Sequence, residues 1–303
     1  MFDRFRHILE MIRFSHTVFA MPFALLATIM AYQAPIGDGQ PLPFSWWPIV
    51  GVVLCMVLAR SAAMAFNRLV DHRIDAKNPR TASRHIPAGI LSASSVAMFT
   101  LACSVGFVAA TLLFLPNWLP LVLSVPVLLF LFGYSYTKRW TWLAHFWLGV
   151  SLMLAPISAW IALRGEYLLA NPADILPAVV LGAGVMLWVA GFDIIYACQD
   201  ADFDREAKLH SVPTRFGVVG ALRIAAVCHG LTVLLLLSLP LVYPQLGWIY
   251  YAGIALVGIL LCYQHVLVRA DDLSRVNLAF FHVNTVIGVG VLVISAIDLW
   301  VGT

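Results

Sequence analysis

Charge is what this sequence has least of. Only 11% of its 303 residues are charged, whereas 62% are hydrophobic, and the mean hydropathy is +0.91. A soluble domain would be about a quarter charged and close to half apolar. The composition therefore excludes a soluble domain and predicts an integral membrane protein with several spans.

Paired cysteines are also missing from the chain. It has five cysteines, no two of them in a CxxC arrangement, and all five fall in apolar segments. This pattern excludes a disulfide scaffold and a thiolate metal site, and it indicates small buried hydrophobic side chains. The five are Cys55, Cys103, Cys198, Cys228 and Cys262.

Long hydrophobic runs, by contrast, fill the chain. At about 20 residues per membrane span, we predict an all-α fold of nine transmembrane helices around a central cavity, forming one domain over residues 1–303. An interfacial helix over residues 2–13 is expected before the first span. The predicted spans are 14–33, 46–66, 93–115, 119–136, 142–163, 175–199, 218–241, 247–268 and 277–300.

Lysine and arginine are concentrated in alternate connections. They occur in the N-terminal arm and in the connections at 67–92, 137–141, 200–217 and 269–276, whereas Arg164 stands alone on the opposite side. Because cytoplasmic loops carry an excess of positive charge, we expect the N-terminus and these loops in the cytoplasm. The C-terminus is then outside, and the bilayer is a bacterial-type cytoplasmic membrane.

Two acidic motifs interrupt the apolar sequence, at 67–75 and 193–204. Asn67, Asp71 and Asp75 are spaced by four residues, as are Asp200 and Asp204, and side chains at this spacing share one face of a helix. Without a cation such carboxylates repel each other. The motifs therefore suggest hard divalent cations and, through them, a phosphate ligand.

Asp193 lies inside an apolar span, seven residues before Asp200 and on nearly the same helical face. An ionised carboxylate there costs about 2.5–3.5 kcal/mol on insertion scales, so we expect Asp193 to face a wet cavity. Arg60 is equally deep in the second span. It either pairs with Asp193 or another internal acid, or binds a substrate carboxylate, which is the interpretation we favour.

The two acidic segments resemble each other in the loops that come after them. Each ends a helix and precedes a basic loop that contains a proline and then a glycine, Pro87 and Gly89 in one, Pro213 and Gly217 in the other. This repetition predicts two pseudo-repeated halves with a site between them. Candidate cations near that site, which could equally be membrane anchors, are Arg68, Arg73, Lys138, Arg139, Lys208 and Arg215.

Over nearly its whole length the chain resembles the UbiA superfamily of intramembrane prenyltransferases. The resemblance is carried by the Asn-x-x-x-Asp-x-x-x-Asp motif at 67–75, by the 80–89 segment and by Tyr134-Ser135-Tyr136-Thr137-Lys138-Arg139. It continues in the second acidic motif, from Asp193 to Asp204, and in Ser211-Val212-Pro213 to Gly217. His85 is a departure, since many 4-hydroxybenzoate enzymes have proline there.

The resemblance implies a reaction, a cofactor and site residues. Two Mg²⁺ ions, bridged by the diphosphate of a polyprenyl diphosphate, are expected to assist its ionisation, and the allylic cation then alkylates an aromatic ring. Arg60 is expected to hold the acceptor carboxylate, and Tyr134 and Tyr196 to line the cavity unless they serve only packing. The implied metal and catalytic residues are Asn67, Asp71, Asp75, Asp200 and Asp204, with Arg68, Lys138, Arg139, Asp193 and Lys208 as catalytic or binding residues.

The acceptor stays open at this point. The motifs are similar both to 4-hydroxybenzoate polyprenyltransferases of ubiquinone synthesis and to a related menaquinone branch that uses a dihydroxynaphthoate. Other branches of the superfamily, and a divalent-cation or organic-anion transporter, are the alternatives. We expect the lipid bilayer as a partner, but no nucleic acid and no obligatory protein partner.

Overall fold

The computed structural model describes residues 2–12, 19–36 and 39–302. These residues form an all-α fold, as predicted. The helices are α1 (Phe2–Met11), α2 (Met21–Gln33), α3 (Trp46–Asp75), α4 (Ala93–Ala110), α5 (Leu119–Thr137), α6 (Ala144–Ala170), α7 (Leu176–Ala197), α8 (Ala201–Glu206), α9 (Val212–Ser238), α10 (Trp248–Leu267), α11 (Val276–Leu278) and α12 (Asn284–Val301).

Within the described ranges, eight helical segments are long and apolar enough to cross a membrane. Nine were predicted. The first predicted span, 14–33, is represented by the 13-residue apolar helix α2, and residues 14–18 lie outside the described part of the chain. A helix is present at the predicted N-terminal position, as α1. The all-α membrane architecture is therefore confirmed, with eight long spans and one short apolar helix.

Helix α3 is longer than the predicted span over 46–66. Its 30 residues make it about 45 Å long, whereas the hydrocarbon core of a bilayer is about 30 Å thick. No glycine or proline interrupts the sequence between Gly51 and Pro79, so the helix continues until the restriction before Pro79 ends it. The first acidic motif is thus carried on extra helical turns at one end of a span.

Helices α6, α7 and α9 approach one another closely because of glycines. A Cβ on Gly149 of α6 would overlap the carbonyl oxygen of Met186 on α7. A Cβ on Gly191 of α7 would overlap the ring of His229 on α9. Small residues let helix backbones approach in this way inside membranes, so α7, which carries Asp193, packs closely against both neighbouring helices.

Both basic loops that follow the acidic motifs contain a glycine with a positive φ. Gly89, after the first acidic motif, has φ +73°, and Gly217, after the second, has φ +70°. Glycine adopts this left-handed region without the steric penalty that other residues meet. Glycine therefore suits both positions, and in α9 Gly217 interrupts the helix near its start.

An ion pair fixes the end of α6 that lies away from the acidic motifs. Arg164 is 1% exposed, and its Nη2 and Nε lie 2.6 and 2.8 Å from the Asp174 carboxylate. The same guanidinium donates to the carbonyl oxygens of Ala31, Ala34 and Pro35. Arg164, the one cation that the sequence analysis placed on the side opposite the basic loops, thus joins α6, the end of α2 and the turn Pro172–Ile175.

We predict that Arg164→Met lowers the free energy of unfolding by about 3–5 kcal/mol, because it leaves the Asp174 carboxylate, whose side chain is only 14% exposed, without its counter-ion. Arg205→Met is the matched control, since Arg205 and Asp202 form an exposed pair worth about 0–1 kcal/mol. Thermal unfolding of the detergent-solubilised protein measures both. Equal melting temperatures for the two variants would contradict the structural role of Arg164.

Candidate functional site

A cavity of about 440 Å³ runs between α3, α5, α6 and α7. Along α3 it extends from Val52 to Asp75, a distance of about 35 Å at the helical rise. Most of its charged side chains come from the end near Asp75, Arg60 lies farther along α3, and mainly apolar side chains line the rest. The cavity therefore joins a polar chamber to a long apolar slot.

Both acidic motifs contribute to the polar chamber, although α7 ends within the second one. α7 ends at Ala197, a 3₁₀ turn covers Cys198–Asp200, and Asp204 is on α8. The helical segment Pro172–Glu206 therefore continues through the second motif, with a 3₁₀ turn at Cys198–Asp200. The five carboxylates lie in one place, because the cavity is lined by Asp71, Asp75, Asp193, Asp200 and Asp204.

Two of these carboxylates are paired with the predicted cations at the end of α5. Arg139 Nη2 lies 2.9 Å from Asp71 Oδ1, and Lys138 Nζ lies 3.1 Å from Asp204 Oδ2. Asn67 Nδ2 also donates to Asp71 Oδ2 at 2.8 Å. These residues come from three separate segments that the sequence analysis assigned to one site. In the structure they contact each other.

Two further carboxylates are paired with arginines that the sequence presented only as part of a motif. Arg84 Nη1 lies 2.6 Å from Asp75 Oδ1, and Arg80 Nε lies 2.7 Å from Asp200 Oδ1. Asn78 donates to the same Asp200 oxygen. The positive charge of the 80–84 segment was the sequence feature that marked these arginines. Nothing in the neighbouring sequence indicated which carboxylate each arginine would pair with.

Arg80 shows how strong this pairing is. Burial alone would lower the pKa of its guanidinium, but the hydrogen bond and the charge of Asp200 raise the pKa above its ordinary value. Arg80 Nη1 also donates to the Tyr196 hydroxyl at 2.9 Å, and the guanidinium lies 5.2 Å from the centre of that ring. Tyr196, a predicted lining residue, thus holds one of the site's cations.

The fifth carboxylate, Asp193, is paired with a histidine that sequence reasoning missed. His145 is completely buried, and its Nδ1 lies 2.6 Å from Asp193 Oδ2. The backbone N–H of Val212 donates to His145 Nε2 at 3.4 Å. Because Nε2 accepts, Nδ1 carries the hydrogen that is donated to Asp193. The only sequence signal was a histidine at the start of an apolar span.

Arg60 is therefore not the partner of Asp193, which corrects one alternative from the sequence. Its Nη1 donates to the Ile12 carbonyl oxygen at 3.3 Å, and its side chain lines the cavity. Arg68 is buried and lines the cavity beside Asn67, and Tyr134 lines it as predicted. Together with Arg80, Arg84, Lys138 and Arg139, these arginines give the cavity six basic side chains among the described residues.

Lys208 is the predicted contact that the structure does not bring into the cavity. It is exposed in the turn after α8, with φ +55°, whereas its neighbour Leu209 lines the cavity. The left-handed turn directs the two neighbouring side chains to different environments. We therefore remove Lys208 from the candidate diphosphate contacts and replace it with Arg80 and Arg84.

The chamber fits a divalent cation by its donor set. Its carboxylates and the Asn67 amide offer the hard oxygen ligands that Mg²⁺ prefers. Asp75 Oδ2 is buried and has no hydrogen-bond partner within the described residues, and such an oxygen is costly unless it binds something. The arrangement can therefore hold cations through oxygen ligands and surround their anionic ligand with basic side chains.

The profile of the UbiA prenyltransferase family matches residues 17–286 of the chain. The 4-hydroxybenzoate octaprenyltransferase of Vibrio campbellii is 29% identical over 269 residues, which are 86% of this chain and 87% of the relative. The enzyme of the same name from Nitrosomonas eutropha is 31% identical over 254 residues, 82% of each chain.

Solved structures are similar over almost the full length. A UbiA homolog from Aeropyrum pernix K1 superposes with a TM-score of 0.80 at 30% identity, covering 95% of this chain and 98% of the homolog. A UbiA homolog from Archaeoglobus fulgidus, bound to GPP and Mg²⁺, has a TM-score of 0.64 at 16% identity and covers 97% and 99% of the two chains. The latter likeness is one of fold.

We predict that Lys138→Met destabilises the protein in EDTA, because Asp204 is 2% exposed and loses its counter-ion. Adding Asp204→Asn should recover part of the loss, with a coupling of about 0.5–3 kcal/mol between the two changes. Thermal unfolding of both single variants and the double variant measures this coupling. Lys208→Met, at the exposed lysine outside the cavity, is the control and should leave the melting temperature unchanged. Strictly additive effects would contradict the pairing.

Proposed function

The chain belongs to the UbiA prenyltransferase family, and from that premise we propose that it transfers a polyprenyl group from a polyprenyl diphosphate to a hydroxylated aromatic carboxylate, with Mg²⁺. The observation that carries the proposal is the cavity: five carboxylates and five basic side chains lie at one end of a mostly apolar slot, and Arg60 lies farther along it. The names of the Vibrio and Nitrosomonas relatives support 4-hydroxybenzoate as acceptor, and a dihydroxynaphthoate has the same carboxylate and ring hydroxyl.

The diphosphate of the donor belongs in the polar chamber. Asn67, Asp71, Asp75, Asp200 and Asp204 would hold two Mg²⁺ ions, which when bound supply charge neutralisation for the leaving diphosphate. The ligands of the Archaeoglobus homolog, GPP and Mg²⁺, support this assignment.

In this proposal the basic side chains of the chamber also bind the diphosphate of the donor. Each of Arg80, Arg84, Lys138 and Arg139 touches a metal-binding carboxylate, so each is close enough to bind diphosphate oxygens once cations neutralise the carboxylates. Arginine is suited to this exchange because its planar guanidinium binds carboxylates and phosphates in the same bidentate way.

The acceptor belongs next to the chamber, within the apolar walls. We assign its carboxylate to Arg60 and a ring hydroxyl to Asp193, whose carboxylate is held by His145 and faces the cavity. His145 donates to one Asp193 oxygen, so the other oxygen keeps its capacity to accept a hydrogen bond. The charged side chains thus orient the acceptor, while the apolar walls exclude water from its ring.

The proposed reaction breaks one bond in the donor and forms one bond to the acceptor ring. The allylic C–O bond breaks and its electron pair leaves with the diphosphate. The allylic cation then bonds to a ring carbon of the acceptor, which loses a proton and regains aromaticity. Tyr134 and Tyr196 present aromatic rings to the cavity, where they can stabilise a cation. The apolar slot accommodates the polyprenyl tail and keeps water from quenching the cation.

The proposed orientation places the chamber at the cytoplasmic face. The basic loops that contact the carboxylates are those that the positive-inside rule assigns to the cytoplasm, and Arg164 is then at the outer end. A water-soluble aromatic acid would enter from the cytoplasm, and the polyprenyl donor would enter from the lipid. The transporter alternative is not favoured, because the family is one of prenyltransferases.

We predict that Asp71→Asn and Asp200→Asn each reduce product formation at least about 100-fold, a loss expected when a group that stabilises developing charge is removed. Membranes containing each variant are incubated with Mg²⁺, a polyprenyl diphosphate and either 4-hydroxybenzoate or a dihydroxynaphthoate, and prenylated products are identified by mass. Asp202→Asn is the control, because Asp202 is 93% exposed by its side chain.

This assay also decides the acceptor. A product from one aromatic acid that disappears with EDTA would establish both the reaction and the acceptor class. Absence of product from every aromatic acid, with an active relative alongside, would overturn the proposed function. Normal turnover by Asp71→Asn would instead overturn only the metal assignment.

We predict that Arg60→Ala raises the KM for the aromatic acid at least about 10-fold, since a hydrogen bond to a charged group contributes about 1.5–3 kcal/mol, and leaves the KM for the donor diphosphate unchanged. Steady-state kinetics with each substrate varied in turn measures the two values. Arg73→Ala is the control, because Arg73 is exposed on the same helix. A rise confined to the donor KM would assign Arg60 to the diphosphate instead.

A further inference from the structure

Two histidines and a glutamate meet outside the cavity, where α1 packs against the loop that follows α3. His7 and Glu10 are three residues apart and share one face of α1. His85 comes from the loop, directly after Arg84. None of the three is among the residues that line the cavity, and none was assigned a role in the proposed reaction.

The three side chains have the separations of metal ligands. Glu10 Oε2 lies 3.5 Å from His7 Nδ1 and 3.8 Å from His85 Nε2, and all three ligand atoms lie within 4.8 Å of one another. In a tetrahedral zinc site, bonds of about 2.0–2.1 Å place the ligand atoms about 3.3 Å apart. Small side-chain rotations would therefore bring these atoms to coordination distance.

The hydrogen bonding leaves these atoms available. His7 Nδ1 is buried and has no hydrogen-bond partner in the part of the chain that the structure describes. Arg6 Nε donates to the other Glu10 oxygen, Oε1, at 2.8 Å. Oε2 lies between the two imidazoles and forms an ion pair with each of them when they are protonated. A metal cation that replaces these protons would bind the same three atoms.

We propose that His7, Glu10 and His85 bind one Zn²⁺ ion, with water as the remaining ligand. Two imidazole nitrogens and one carboxylate oxygen suit zinc, whereas Mg²⁺ prefers oxygen ligands alone. This set is thus chemically distinct from the carboxylate chamber. The inference does not depend on the proposed function, because it concerns other residues and another metal.

The position of the site gives it a structural consequence. His85 is adjacent to Arg84, and the same loop carries Arg80, so this loop contacts both acidic motifs. A metal bound to His85 would tie the loop to α1. Because a ligand that binds only the folded arrangement stabilises it by mass action, zinc should hold the loop against α1 and reduce its opening.

Zinc content of the purified protein tests the proposal. The full chain, with any affinity tag removed, is stripped with EDTA, dialysed against Zn²⁺ in excess Mg²⁺ to occupy the carboxylate chamber, and analysed by elemental mass spectrometry. We expect one equivalent of zinc in the original protein and its loss in His7→Ala and His85→Ala. His210→Ala, at an exposed loop histidine, is the control and should retain the ion.

Amide hydrogen exchange tests the same proposal without measuring the zinc content of the protein. Zn²⁺ should slow amide exchange in residues 76–92 of the original protein and leave that exchange unchanged in His85→Ala. Co²⁺ substitution should give the visible absorption of a tetrahedral site, absent in Glu10→Gln. Zinc retained by His85→Ala, or lost in Asp71→Asn, would overturn the proposal, since the ion would then lie elsewhere.

Discussion

Neutralising five clustered carboxylates is the constraint on which the rest of this structure depends. In a chain with so little charge, each acid of the chamber touches a different side chain: Asp71 with Arg139, Asp75 with Arg84, Asp193 with His145, Asp200 with Arg80 and Asp204 with Lys138. In the four pairs with lysine or arginine, opposite charges about 4 Å apart attract by about 4 kcal/mol at an effective dielectric constant of about 20. Removing Lys138, for example, leaves Asp204, which is 2% exposed, without its counter-ion.

This pairing accounts for the shape of the surrounding helices. α3 extends beyond the membrane core so that Asp71 and Asp75 reach the chamber, and a 3₁₀ turn and α8 carry Asp200 and Asp204 to it. The same pairs would allow an exchange of partners when ligands bind. A bound metal ion would replace the basic side chain beside each carboxylate, and an anionic substrate would replace the carboxylate beside each basic side chain.

The loop after α3 connects three parts of the molecule. Arg84 contacts the first acidic motif, Arg80 contacts the second, and His85 faces α1. At the opposite end of the fold, Arg164 pairs with Asp174, and this pair has no part in the cavity. The mostly apolar slot between these two ends has room for a hydrocarbon chain.

The all-α membrane architecture can be read from the sequence, because long apolar runs have no other stable form in a bilayer. The helical stripe of Asn67, Asp71 and Asp75 can be read from it too, since that spacing matches about 3.6 residues per turn. Which cation reaches which acid depends instead on the tertiary structure. Arg80 lies 120 residues from Asp200, and His145 lies 48 from Asp193. Such pairings depend on how whole helices pack, so no local pattern distinguished Arg80, which enters the chamber, from Lys208, which does not.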